Sequence, residues 1–270
     1  MSEIFASDLL AGKTAVITGG GSGLGRDMAE RFASLGAKVV VMGRTQSKLD
    51  DTARAIADAG GRARGVSCDV RDAEAVKAAM KNVHDTEGEI DILVCGAAGN
   101  FPSAAANLSA KGFATVVDID LNGTFNSCRE AYPFLRKPGA SIMAISANLS
   151  SMPTAFQAHA CAAKAGIDKL IQVLAIEWAS DGIRCNAIAP GPVDDTEGMR
   201  RLSPTPEIKK ALTDLMPIGR YLTKEEVSSL AVYLASPAGA AITGAIIVID
   251  GGQSLHGSGA FLQALMSMEM

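Results

Sequence analysis

Residues 13–17, Lys-Thr-Ala-Val-Ile, make a short apolar run of strand type. It empties directly into Thr18-Gly19-Gly20-Gly21-Ser22-Gly23-Leu24-Gly25, and a helix-like stretch follows. Few architectures accommodate that junction. A glycine-rich turn between strand and helix lets a pyrophosphate approach bare backbone at a helix N-terminus. A lone glycine pattern carries little weight, but this one heads a chain of repeated strand–helix units, which is the context the mechanism needs. Candidate cofactor-binding residues here are Gly19, Gly21, Ser22, Gly23, Leu24 and Gly25.

The rest of the chain repeats that alternation. Residues 13–18, 37–42, 62–67, 90–95, 141–146, 183–189 and 245–249 read as strands. Residues 24–35, 46–59, 72–86, 116–135, 156–179 and 224–234 read as helices. The strands are nearly continuous Val, Ile and Ala runs, as a parallel sheet covered on both faces requires. The expected fold is therefore α/β, a doubly wound parallel sheet of the Rossmann type, in one domain over residues 1–270. Residues 191–217 read as a long irregular connection, the usual form of a lid over a site.

Composition narrows the partners. The formal net charge is -4 with no basic block, which argues against nucleic acid. Cys68, Cys95, Cys128, Cys161 and Cys185 are scattered, without a CxxC, so neither a disulfide frame nor a metal site is expected. Residues 1–10 lack a basic start, and no apolar run is long enough to span a bilayer. Met268-Glu269-Met270 is not a peroxisomal address. These features set the expectation of a cytoplasmic protein with no membrane contact.

Cofactor type is read at the end of the second strand. A carboxylate there binds ribose hydroxyls and repels a 2′-phosphate. This chain instead carries Gly43-Arg44-Thr45-Gln46-Ser47. Arg44 suits a phosphate, with Ser47 as a hydroxyl donor, so the expected cofactor is NADPH. The alternative for Arg44 is a solvated surface residue. Asp69, followed by Val70, ends the third strand; it suits the adenine amino group, or equally a turn or cap.

Taken together, these strings resemble the short-chain dehydrogenase/reductase family over almost the whole chain. Residues 18–25 match its TGxxxGxG, Ala97-Ala98-Gly99 resembles the end of its NNAG segment, and Lys164, Pro190-Gly191 and Asp250-Gly251-Gly252 follow in family order. The branch it resembles most is the 2,4-dienoyl-CoA reductases, and among them the peroxisomal type. That likeness rests on Gly99-Asn100-Phe101, Asp118-Ile119-Asp120, Gly123-Thr124-Phe125-Asn126, Gln157-Ala158-His159-Ala160 and Thr196-Glu197-Gly198-Met199-Arg200-Arg201-Leu202. The resemblance adds Ala97, Gly99, Lys164, Pro190 and Gly191 to the cofactor residues, and implies a homotetramer.

The departures from the parent family decide the chemistry. Its catalytic Tyr position holds Ala160, its Ser position holds Ala147 beside Ser146, and its Asn position holds Asp120. The Tyr of the mitochondrial branch falls on Leu149, while that branch's Asn is kept as Asn122. Carbonyl reduction needs an acid beside the developing alkoxide, and the standard one is absent. Dienoyl thioester reduction needs fixed donors at the thioester oxygen and a proton for carbon. Asp120, Lys164, Asn122 and His159 are the candidate catalytic residues: Asp120 to hold a water, Lys164 to bind the nicotinamide ribose, Asn122 and His159 as donors. The structural alternatives are a backbone-bonded buried acid for Asp120 and a surface or capping residue for His159. Asn100 and Phe101 are candidate substrate residues. Arg200 and Arg201 are placed toward coenzyme A phosphates, or alternatively on a solvated face. The expected activity is NADPH-dependent reduction of 2,4-dienoyl-CoA, an auxiliary step of unsaturated fatty-acid β-oxidation. The rivals are a carbonyl or 3-ketoacyl reductase with a non-standard acid, and a non-catalytic NADP-binding protein.

Overall fold

The computed structural model describes residues 4–203 and 205–255. Its centre is a seven-stranded sheet in the order β3-β2-β1-β4-β5-β6-β7. The strands are β1 (Thr14–Thr18), β2 (Lys38–Gly43), β3 (Arg62–Ser67), β4 (Ile92–Cys95), β5 (Ser141–Ile145), β6 (Arg184–Pro190) and β7 (Ile246–Ile249). Every pairing is parallel, with Val16 opposite both Val40 of β2 and Leu93 of β4. The strand order reverses between β1 and β4, which opens a crevice at the carboxyl ends of those strands.

Side chains alternate across the sheet and feed two cores. Ala15, Ile17, Val39, Val41 and Met143 face α1 (Gly23–Ser34), α2 (Gln46–Asp58) and α9 (Lys224–Ala235). Val16, Val40, Leu93, Ile142 and Ala144 face α3 (Ala73–Glu87), α5 (Gly123–Ala131) and α6 (Ala158–Glu177). Each fully buried aliphatic side chain contributes roughly 1.5–3 kcal/mol.

The expected strands and most helices stand within a few residues of their sequence bounds. Two regions differ. The helix expected over 116–135 begins earlier, as α4 (Ala110–Val117), because the Ser109 hydroxyl accepts the Gly112 N–H at 3.0 Å and caps it. A π-helical turn, Asp118–Asn122, then separates α4 from α5. The stretch over 191–217 is not irregular. It contains α7 (Glu197–Leu202), capped by Thr196, and α8 (Pro206–Asp214), capped by Thr205 with Pro206 in its first turn. Helices this short leave too little periodicity to read, and their start signals lie in single threonines. Residue 204 of that stretch lies outside the described residues, as do residues 1–3 and the C-terminal tripeptide read for an address. Among the described residues, no helix is long and apolar enough to cross a membrane.

Across the α1–α9 interface the Ser228 hydroxyl donates to the Asp27 carboxylate. Burial raises the Asp27 carboxyl above its ordinary value, against the pull of Ser228 and Lys224 and with the help of Glu30 and Glu225. A carboxyl raised by folding stabilises the native state fully below its unfolded value and loses that contribution as pH rises through its folded value. Asp27→Asn should therefore raise Tm at pH 7, with the gain closing as pH falls toward about 4. Calorimetry across that range checks it, and a pH-independent difference overturns it.

Candidate active site

Close packing explains the first loop. Gly19 has φ of 73°, and a Cβ there would lie 2.6 Å from the Gly96 carbonyl oxygen. A Cβ on Gly25 would meet the Gly19 carbonyl oxygen at 2.5 Å. The loop is therefore pressed onto β4 and folded back on the helix start, where only backbone fits. Thr18 locks the same junction, its hydroxyl accepting the Gly96 N–H at 3.1 Å. Ser22 precedes α1 without a side-chain cap bond, and Thr45 precedes α2 in the same way. Both helices thus begin with N–H groups free to meet an anion, and Arg44 and Ser47 stand exposed beside the second.

The remaining expected cofactor residues collect at the same carboxyl edge of the sheet. Ala97 and Gly99 follow β4; Pro190 ends β6; Gly191 N–H bonds the Ile249 carbonyl at 2.9 Å. Val70 packs under Gly123, where a Cβ would lie 2.5 Å from its Cγ2. Asp69 is already engaged. Arg71 forks onto it at 2.6 and 3.0 Å, and that bond holds the Asp69 carboxyl below its usual range.

The catalytic candidates do not all converge. Asp120 sits in the π-helical turn with 1 % of its surface exposed, and Lys164 on α6 with 7 %. Lys164 Nζ lies 3.0 Å from Asp120 Oδ2 and donates to the Ile145 carbonyl at 2.8 Å. Asp120 Oδ1 accepts the Gly99 N–H at 2.7 Å. One acid thus joins α6, the turn and the loop after β4. Asn122 is not brought to this group. Two residues further round the helix, its side chain is exposed and donates to Asp118 Oδ1 at 2.8 Å. An i to i+2 step turns a helical side chain to the opposite face.

His159, the second residue of α6, is fully buried. Its ring packs T-shaped against Phe101, centroids 4.5 Å apart. The Ala160 N–H donates to His159 Nδ1 at 2.8 Å, while Nε2 is buried with no protein partner. Asn100 beside it donates to Gln157 Oε1 at 2.6 Å and leaves its own Oδ1 without a partner. Ser146 continues the alternation of Ile142 and Ala144 onto the α6 face, and its hydroxyl is likewise buried and unpartnered. Three unsatisfied polar atoms on segments that border one ion pair are unusual in a folded protein. The contributions of Ser146 and Gln157 were not singled out by sequence; for Ser146 the available signal was its even spacing from Ala144.

Phe156 stands nearby with φ of 66° and 60 % exposure, its carbonyl accepting the Ser103 N–H at 2.8 Å. The loops after β4 and β5 are thereby tied together. The lid is tied down by acids. Asp195, also at positive φ, pairs with Arg200 of α7 and Lys224 of α9, each at 2.8 Å; these hold its carboxyl at about 2. Asp194 pairs with Lys209 of α8 at 2.8 Å, and Glu197 with Arg201 at 2.9 Å. Arg200 and Arg201 are therefore held in ion pairs within the lid, not set free toward the crevice.

Comparison with known proteins accords with this geometry. The family described as enoyl-(acyl carrier protein) reductase matches residues 19–254. The peroxisomal 2,4-dienoyl-CoA reductase ((3E)-enoyl-CoA-producing) of Arabidopsis thaliana is 40 % identical over 93 % of this chain and 88 % of its own. The Saccharomyces cerevisiae enzyme of the same description is 40 % identical over 91 % and 85 %. A solved structure, the citronellol catabolism dehydrogenase of Pseudomonas aeruginosa, superposes with a TM-score of 0.83 at 36 % identity, covering 94 % of this chain and 100 % of that one. The relatives correct one expectation: those named are peroxisomal enzymes, which overturns the cytoplasmic placement. That placement rested on missing address signals, and an absent signal is weak ground. From the glycine loop to the Asp250 turn, fold, residue order and relatives agree: the chain belongs to the short-chain dehydrogenase/reductase family.

Proposed function

We propose that the protein is an NADPH-dependent reductase of 2,4-dienoyl-CoA thioesters. One observation carries the reading: a buried Asp120–Lys164 pair is kept at the site, while the α6 position that would carry the phenol for carbonyl reduction is the buried Ala160. None of the three tyrosines of the chain lies on α6. The names of the relatives support the substrate class.

The residues present fit the cofactor. The cradle at Gly19 and Gly25 is one that any Cβ would fill, and the uncapped starts of α1 and α2 suit a pyrophosphate and a 2′-phosphate. Arg44 forms no ion pair with a described residue and is the 2′-phosphate ligand in this reading. When bound, the cofactor supplies hydride to C5 of the diene. Lys164 has three N–H donors; Asp120 and the Ile145 carbonyl take two, and the third is left for a ribose hydroxyl. Negative charge then spreads along the diene to the thioester oxygen, where fixed donors hold it. Asp120 retains unused lone pairs on both oxygens and orients a water that protonates carbon. Protonation at C2 leaves the double bond between C3 and C4, the outcome that the relatives' names describe.

The lid defines how an acyl-CoA is admitted. A coenzyme A phosphate that reaches Arg200 or Arg201 meets a guanidinium already partly neutralised by Asp195 or Glu197. Assembly as a homotetramer belongs to the same reading. It is supported by exposed Phe125 on α5 and by Val173 and Ile176 on α6.

Three experiments test this. NADPH consumption with short, medium and long 2,4-dienoyl-CoA esters should be rapid and yield 3-enoyl-CoA by mass and double-bond analysis. A new hydroxyl in the product points to a carbonyl reductase, and no consumption at all to a binding protein. Arg44→Ala should weaken NADPH binding by about 2 kcal/mol, a charge-assisted contact, and leave NADH nearly unchanged. Equal losses for both cofactors remove Arg44 from the site. Asp120→Ala leaves the Lys164 ammonium buried with the Ile145 carbonyl and strips the Gly99 N–H of its acceptor. Urea unfolding should lose about 3–5 kcal/mol, much of it restored in Asp120→Ala/Lys164→Met. Strictly additive losses would show that the two side chains are not coupled.

A further inference from the structure

We propose that His159 donates its Nε2–H to the thioester carbonyl oxygen of the bound acyl-CoA, as the fixed donor on which the developing negative charge comes to rest. This role rests on the reading of function above.

The ring's proton is placed by its neighbour. The Ala160 N–H points at Nδ1 from 2.8 Å, so Nδ1 serves as an acceptor and the hydrogen of the neutral ring is on Nε2. Ala160 is the third residue of α6, and its N–H is one of those no helical carbonyl satisfies; the helix start itself has no side-chain cap. The imidazole fills part of that gap with one nitrogen and leaves its N–H donor on the other. That donor is fully buried and bonded to nothing in the protein. Most buried donors in folded proteins are paired, and a ligand oxygen would pair this one; His84 Nδ1 on α3 is also buried without a partner, but it lies away from the crevice.

Three contacts fix where the donor stands. The Phe101 ring, T-shaped at 4.5 Å, sets the imidazole plane. The loop that carries Phe101 is anchored two residues earlier, where Gly99 N–H bonds Asp120 Oδ1. It is anchored again at Asn100, which donates to Gln157 Oε1 at the start of α6. The loop over residues 99–101 thus touches both His159 and the Asp120–Lys164 pair, whose side chains leave α6 about 140° apart. Along α6 His159 lies five residues before Lys164, a rise of about 7.5 Å, and helical side chains lean toward the N-terminus. The thioester carbon is four bonds along the diene from C5, the carbon that takes hydride beside the ribose held by Lys164. This role requires the extended diene to run from C5 near Lys164 toward the N-terminal end of α6. A neutral N–H at that point stabilises charge without surrendering its proton, whereas the proton for carbon is left to water at Asp120.

The test uses the full chain with NADPH, a 2,4-dienoyl-CoA and His159→Ala, His159→Gln and Phe101→Ala variants. Folding is checked by circular dichroism and cofactor affinity by titration. His159→Ala should lower kcat about 100- to 1000-fold, the range for loss of one such donor, with NADPH affinity unchanged. His159→Gln offers an amide N–H in place of the ring and cannot shuttle a proton; it should recover most of that loss with the parent's pH profile. Phe101→Ala, which frees the ring, should fall between the two. Infrared difference spectra of a thioester labelled with 13C at the carbonyl give a readout that packing does not move. The stretch should be red-shifted in the parent and in His159→Gln, and return to its solution frequency in His159→Ala. An unshifted carbonyl in the parent, or an unchanged one in His159→Ala, overturns the proposal. So does a His159→Gln variant as slow as His159→Ala with its red shift intact, which would make His159 the proton donor instead. A parent that does not consume NADPH with any dienoyl-CoA overturns the reading of function first, and this role falls with it.

Discussion

A carboxylate and an ammonium buried together are costly to desolvate, and the Asp120–Lys164 pair persists because backbone groups share the burden. Asp120 takes the Gly99 N–H, and Lys164 takes the Ile145 carbonyl, so neither ion relies on the other alone. Those partners come from the loop after β4 and from the last residue of β5. The pair therefore dictates how these segments meet. It sets the height of the loop that carries Asn100 and Phe101, and it fixes α6 against the last residue of β5. The wall of the crevice is built outward from this one contact.

Capping divides the helices by task. Asp72, Ser109, Thr196, Thr205 and Thr223 each satisfy the first N–H groups of the helix they precede, the last with a capping box completed by Glu226. At α1, α2 and α6 the residue before the helix makes no such bond. Each missing cap forgoes roughly 1 kcal/mol of local stability. These three helices begin beside the crevice, where an anion or a polar ligand can meet the free groups.

What the sequence announced was whatever depends on neighbours along the chain. The glycine loop, the apolar strands, Lys164 in its helix and Arg44 in place of an acid are all local signals, and the parallel sheet followed from them. What it concealed depends on contacts across the fold. Asn122 was expected among the donors because it is retained by position, yet the turn it occupies sends it outward to Asp118. Arg200 and Arg201 read as free cations because Asp195 and Glu197 look like ordinary lid residues until the chain folds. The two lid helices were invisible because helices of six and nine residues show too little of a period. His159 was legible as a candidate, but which nitrogen carries its hydrogen is set by a backbone N–H that only the folded helix start presents.

The π-helical turn at Asp118–Asn122 holds one residue more per turn than the helices on either side. Such a turn shifts the phase of everything after it by about 100°. Upstream, Val116 is set to the phase of α4; downstream, Cys128 and Ala131 are set to the phase that meets the sheet through α5. Asp120 lies in the joint and answers to neither. Deleting a single residue there would restore an uninterrupted α-helix and put the acid and the core out of step: whichever was kept in register, the other would rotate away. The chain thus sets its buried carboxylate and its packing face separately, on what reads in sequence as one helix.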